Sequence, residues 1–368
     1  MTPDRHYLDC NATAPLRPEA KDAMREALEI TGNASSVHAE GRRARALIDA
    51  ARRDIARLAA TPPNSVHFTA GGTEANNWAL SLAAGPLLFA ATSHDSVLRP
   101  AANGQAVPVD SSGLIDLKAL EMTLSGTSGA LVSVPSVNNE TGVVQPLEGL
   151  AALCRAADAL LHADAVQAPG KIDLAAVTEL ADLVSLSAHK LGGPAGCGAL
   201  LVRPGLDPEP LLKGGGQEQR RRAGTENLTG IAGFGAAAAA VAVHGAAEQE
   251  RLTGLRDRME TALLESCPEA VIHGRDALRA PNTTCVRMPG VTAETQVMAL
   301  DLGGIAVSAG SACSSGKVTP SHVLRAMGET EAAAGEAIRI STGWMTNDAD
   351  IDALVAVWRD LWARKRAA

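Results

Sequence analysis

Between residues 66 and 203, short apolar runs alternate with helix-length segments, and this alternation constrains the fold more than any other feature of the chain. The runs at 66–69, 87–91, 131–134, 159–162 and 183–186 are of strand length and bounded by Gly, Pro or polar residues. Strands joined through helices run parallel, because each crossover returns the chain to the same end of the sheet. The pattern therefore predicts an α/β protein with a mostly parallel sheet covered by helices on both faces, and an antiparallel partner strand at 198–203. Aromatic residues make up only 2% of the chain, so the core must be built from Ala, Leu and Val.

Around this sheet, helices are expected at 18–30 and 37–60, the second long, basic and ended by Pro62-Pro63. An alanine-rich helical region runs over 228–266. Beyond it the texture changes to shorter strands near 284–287 and 337–340, which predicts a second, smaller domain from about residue 251.

The net charge of -8 disfavours a nucleic-acid surface, and the main basic cluster, Arg220-Arg221-Arg222, sits inside a glycine-rich motif. The first ten residues carry charges and no apolar core, and the longest apolar run, 236–243, is too short to span a bilayer. Six cysteines (10, 154, 197, 267, 285 and 313) are scattered without metal-ligand spacing. A cytoplasmic protein with free thiols, no structural metal and no membrane contact is the expectation.

Chemistry-bearing residues gather where the strands end. The run at 183–186 delivers Ser187, His189 and Lys190, and glycines with a proline follow at once. Ligands bind at the carboxyl ends of strands in open α/β sheets, so Lys190 reads as a Schiff-base lysine. Gly71-Gly72-Thr73 ends another strand with an anion-binding turn in which Thr73 caps the next helix, although a capped helix alone needs no ligand. Asp164 and Gln167 follow a third strand, where the acid suits a pyridinium partner or a helix cap. His94 follows a fourth, as a stacking or proton-shuttling imidazole or a structural one. Cys313 lies among small residues and glycines in SAGSACSSGK, which suits an exposed nucleophile better than a core thiol. Arg339, in a short strand, could clamp a carboxylate.

The ordered set LDCNATAP, GNASSVHAEGR, FTAGGTEANN, SVNNETG, HADAVQ, SLSAHKLGGPAG, GGGQEQRRRAGTEN, SAGSACSSGKVTPSHVL and IRIST resembles the group I cysteine desulfurases, pyridoxal-phosphate enzymes of the class V aminotransferase family. The resemblance implies a fold-type I homodimer: a seven-stranded large domain over 15–250, and a small domain from 1–14 and 251–368 carrying the cysteine loop. It implies pyridoxal 5'-phosphate held by Lys190, with Gly72, Thr73, Ser187, His189 and the partner-reaching Thr225 on the phosphate side. Asp164 then matches the pyridinium partner, Gln167 and Asn139 the ring-oxygen ligands, and His94 the stacking histidine. Arg339, with Asn33 nearby, matches the site for the carboxylate of L-cysteine. Cys313 matches the persulfide-forming cysteine, which could also ligate a transient cluster, and it passes sulfur to an acceptor such as an iron–sulfur scaffold.

Ala34, Ala70, Gly72 and Ala195 depart from the usual family pattern, and Cys10 is unusual beside Asn11. Cys10 is either a second reactive thiol or a packed one. The competing readings are a selenocysteine lyase or aminotransferase on the same fold, and a catalytically silent sulfur-relay scaffold.

Overall fold

A computed structural model describes residues 5–312 and 318–367, so Cys313 lies outside the described residues. The sheet comprises β1 (Val66–Thr69), β2 (Leu87–Ala90), β3 (Gln105–Val107), β4 (Leu131–Pro135), β5 (Leu160–Asp164), β6 (Leu183–Ser187) and β7 (Gly198–Val202). Its order is β1-β7-β6-β5-β4-β2-β3. The neighbours from β6 through β3 pair in parallel, whereas β7 runs antiparallel to both β6 and β1. The lone antiparallel strand is the one expected at 198–203. Strands β4, β6 and β7 are buried along their whole length, as a sheet covered on both faces requires.

Helices α1 (Pro18–Leu28), α2 (Ala39–Leu58) and α3 (Gly72–Leu80) precede the 39-residue α4 (Leu228–Ser266). Small residues let α4 sit close: a Cβ on Gly235 would lie 2.5 Å from the Ala51 Cα of α2. Its most apolar stretch is long enough to cross a bilayer, but 61% of that stretch is buried inside the protein, as in the core helix of a globular domain. Ile231, Phe234 and Val241 of α4 join the core of the large sheet, and Leu252, Leu255, Met259 and Leu263 join a second core. The boundary expected near residue 250 thus falls within one continuous helix.

The second core lies against an antiparallel sheet of β8 (Val271–His273), β9 (Thr283–Arg287), β10 (Ser308–Ala309) and β11 (Ala337–Ser341), in the order β10-β11-β9-β8. Trp358 and Trp362 of α5 (Asp348–Ala367) fill it. The N-terminal segment joins this side: Leu8 is buried in the second core, and the Ser341 N–H donates to its carbonyl at 2.8 Å. The same segment then crosses to the large sheet, where the Ala14 N–H donates to the His189 carbonyl at 2.8 Å. Residues 311–312 and 318–319 pair antiparallel on either side of the cysteine loop.

An open sheet edge leaves backbone groups unpaired, and at β1 side chains cover it. Glu218 accepts the Phe68 N–H at 2.9 Å, and Arg52 donates to the Val66 carbonyl. The two side chains pair through two 2.8 Å bonds, both almost fully buried. Glu218, Gln219 and Arg220 all adopt left-handed backbone to bring the carboxylate there, at φ 45°, 59° and 69°. Glu218→Ala leaves the Arg52 guanidinium buried without its counter-charge. It is expected to destabilise the protein by about 3–5 kcal/mol, read as a lowered denaturation midpoint.

Candidate active site

The carboxyl ends of the parallel strands open onto a cavity of about 760 Å³. Gly72, Thr73, His94, Asn139, Asp164, Gln167, Ser187, His189, Lys190 and Arg339 all line it, so ten of the expected residues converge on one space. Ser308–Ala309, Gly310, Thr319 and Pro320 complete the wall, so residues on both sides of the cysteine loop face this cavity. Asn33 and Thr225 are exposed and do not line it; the Asn33 carboxamide oxygen instead accepts the Ser35 N–H at 2.8 Å.

Helix α3 begins two residues earlier than expected. Gly71 is its N-cap and Gly72 its first residue, so Thr73 lies in the first turn and does not cap it. Among the described residues no side chain caps this end, which leaves backbone donors and the positive end of the helix dipole for an anion. Glycine at 72 is matched by Val166: a Cβ there would lie 2.7 Å from Val166 Cγ2 and force it to move. Ser187, at the end of β6, and His189, in the short 3-10 turn Ala188–Lys190, add a hydroxyl and an imidazole to the cavity. Burial and the Lys190 charge push the His189 pKa down to about 4, so this ring is neutral.

Asp164 ends β5 as a cavity carboxylate and not as a helix cap. Its oxygens accept from Asn76 Nδ2 at 2.8 Å and from the Val166 N–H at 3.2 Å. His94 caps the short helix Asp95–Leu98: its Nδ1 accepts the Ser96 N–H at 3.1 Å. Burial pushes its pKa down, against the pull of Asp164. A neutral ring accepting at Nδ1 carries its proton on Nε2, so His94 offers an N–H donor at that atom and no base.

Lys190 Nζ donates to the carbonyls of Asn11 (2.6 Å) and Ala12 (2.9 Å). Burial and the nearby Arg339 charge lower its pKa to about 8, with Asp9 and Asp164 opposing. On Arg339, Nη2 pairs with Asp9 at 2.7 Å and Nη1 donates to the Asn139 carbonyl at 3.2 Å. Its Nε is buried with no protein partner among the described residues, a donor left for an incoming group.

Asp9, Asn11, Lys171, Glu140 and His322 also belong here and were not singled out in the sequence. Asp9 and Asn11 stand in LDCNATAP, and Glu140 in SVNNETG. Lys171 follows Gly170 in the turn after Gln167. Glu140 is buried, which pushes its carboxyl up, and it accepts from Ser321 at 2.5 Å. Cys10 is the packed alternative of its two readings: it is buried, and burial pushes its thiol up to about 12.

A lysine with a depressed pKa is an ammonium below the midpoint and a nucleophile above it. Acetylation of Lys190 in the cofactor-free chain, followed by peptide mass spectrometry, is expected to rise through about pH 8 and not 10.5. The unfolded chain holds the extra proton in that window, so this lysine's contribution to stability grows as pH rises from about 8 towards 10.5.

The aminotransferase class-V family model matches residues 6–354. A cysteine desulfurase of Cereibacter sphaeroides is 44% identical over 96% of this chain and 95% of its own. The NifS-like protein of Rickettsia africae superposes with a TM-score of 0.91 at 32% identity, covering 98% of this chain and 99% of that one. SspA, solved in complex with cysteine, superposes with a TM-score of 0.78 at 29% identity, covering 91% and 98%. With a match of this length, and relatives of this identity over nearly the whole chain, the protein belongs to the aminotransferase class-V family, among its cysteine desulfurases.

Proposed function

We propose that this chain is a pyridoxal-phosphate-dependent cysteine desulfurase that converts L-cysteine to L-alanine and holds the released sulfur as a persulfide on Cys313. One observation carries the reading. A single cavity combines an amine, a carboxylate and an uncapped helix N-terminus with a buried arginine, and residues flanking the cysteine loop line its wall.

The donor set suits pyridoxal phosphate. Lys190 would hold its aldehyde carbon, Asp164 its ring nitrogen, and α3 with Thr73, Ser187 and His189 its phosphate. When bound, the group supplies an electron sink for the carbanion at the substrate Cα. Arg339 Nε is the donor available to the substrate carboxylate, and Asp9 and the Asn139 carbonyl hold the guanidinium in place. Lys190 Nζ, with its pKa near 8, is neutral in about a tenth of molecules at pH 7, and this neutral amine takes the Cα proton. His94 offers its Nε2–H towards developing negative charge. The Cys313 thiolate bonds to the substrate sulfur, the Cβ–S bond breaks with its electron pair left on carbon, a proton is added at Cβ, and return of the proton held by Lys190 to Cα completes alanine.

The reading extends to a homodimer in which Thr225 reaches the phosphate side of the partner's cavity. Thr225 is exposed outside its own cavity, and both carboxylate oxygens of the adjacent Glu226 are buried without a protein partner among the described residues. It also extends to the cytoplasm, in keeping with free thiols at Cys10, Cys154, Cys197, Cys267 and Cys285, and to an acceptor protein of the iron–sulfur scaffold type.

Incubation with L-cysteine, pyridoxal phosphate and a thiol reductant is expected to release sulfide and alanine in equal amounts. Cys313→Ala and Lys190→Ala should each abolish both products. Alanine formation that survives Cys313→Ala would instead indicate a lyase or transaminase.

A further inference from the structure

Lys171 is the second lysine at this site, and no step of the reaction uses it. Its Nζ donates to Asn11 Oδ1 at 3.1 Å and to Gln167 Oε1. An ammonium has only donors, so each amide it touches must turn its oxygen towards it. That settles both orientations. Gln167 Nε2 points the other way and donates to the Asn11 carbonyl at 3.0 Å. Asn11 Nδ2 donates to Thr283 Oγ1 at 2.9 Å and to the Asn139 carbonyl at 3.1 Å. These bonds end on the working side chains. The Asn11 carbonyl also accepts Lys190 Nζ at 2.6 Å, and the Asn139 carbonyl also accepts Arg339 Nη1 at 3.2 Å.

We propose that Lys171 is a positioning residue: by holding the oxygen ends of Gln167 and Asn11, it keeps Gln167 Nε2 on the Asn11 carbonyl that Lys190 also uses and fixes the face of Gln167 that the bound cofactor meets. Burial, with the Lys190 charge, lowers its own pKa to about 7. A neutral amine still carries two N–H donors, so the orientation persists through that titration. Without Lys171 the Gln167 amide can turn over, placing an oxygen against the Asn11 carbonyl and leaving Lys190 an altered acceptor. The inference rests on the desulfurase reading for what Gln167 meets, and its test has one arm independent of that reading.

The test compares the wild type with Lys171→Met, which keeps the stem without donors, and Lys171→Arg, which restores them. The holoprotein is titrated with pH through the absorption band of bound pyridoxal phosphate. The cofactor-free chain is titrated through acetylation of Lys190. Lys171→Met is expected to displace both midpoints by about half a pH unit or more, the scale on which a changed hydrogen bond at a titrating group registers. It should also lower kcat roughly tenfold with little change in KM, as misplacement of a reacting group does. Lys171→Arg should return both midpoints to the wild-type values. Unchanged midpoints in Lys171→Met, even with a lowered thermal midpoint, overturn the proposal and leave Lys171 a core cation. Where Lys171→Met does not fold, Lys171→Gln takes its place. Its amide nitrogen sits one atom short of Nζ and reaches one of the two oxygens at most, so a smaller displacement is expected and none overturns the proposal. A wild-type chain that shows no cofactor band defeats the cofactor reading, and the acetylation arm then decides the role of Lys171.

Discussion

Every polar group of Asn11 is spent in joining the two cores over the active site. Its N–H donates to Ser341 Oγ at 3.0 Å and its Nδ2 to Thr283 Oγ1 at 2.9 Å, both on the small sheet. Its carbonyl accepts Lys190 and Gln167 from the large sheet, and its Oδ1 accepts Lys171 and Asn282. A buried amide satisfied from both sides couples them, because moving either side strands donors that water does not reach. The cavity floor and the Arg339 wall therefore share one register.

Charge in the cavity is balanced by placement. Burial lowers the pKa of both lysines, and the neighbouring cations add to it, Arg339 acting on Lys190 and both Lys190 and Arg339 acting on Lys171, so both titrate far below the ordinary lysine range. Asp9 and Asp164 keep the balance from tipping further, and Asp9 at the same time aims Arg339. An amine that is partly neutral near pH 7 is what proton abstraction from carbon needs. The N-terminal segment supplies Asp9, the Asn11 and Ala12 carbonyls and, through Thr13, a 3.0 Å contact to His189. A stretch that is only partly strand in its own right thus furnishes much of the site's electrostatics.

The large sheet was legible because period and composition are local. The runs at 66–69 and 131–134, the antiparallel strand at 198–203 and the long helix over 228–266 all lie within a residue or two of their structural bounds. Site residues at strand ends were legible for the same reason, since the end of a parallel strand is both a sequence position and a place in the fold. Thr73 was misplaced because Gly71 takes the capping position once the turn is built. Lys171 and Asp9 escaped notice because their partners, Asn11 and Arg339, are far away in the chain.

Residue types and their order by themselves determined the fold class, the strand ends that would meet, and the amine, acid, arginine and thiol available for chemistry. Only the tertiary structure decided that His94 is a donor at Nε2, that Arg339 Nε is buried without a partner among the described residues, and that Lys171 holds the oxygens of two amides. Those facts depend on which partner occupies each lone pair and each N–H. Burial fixes the partners, by making an unpaired polar group costly once distant segments have packed.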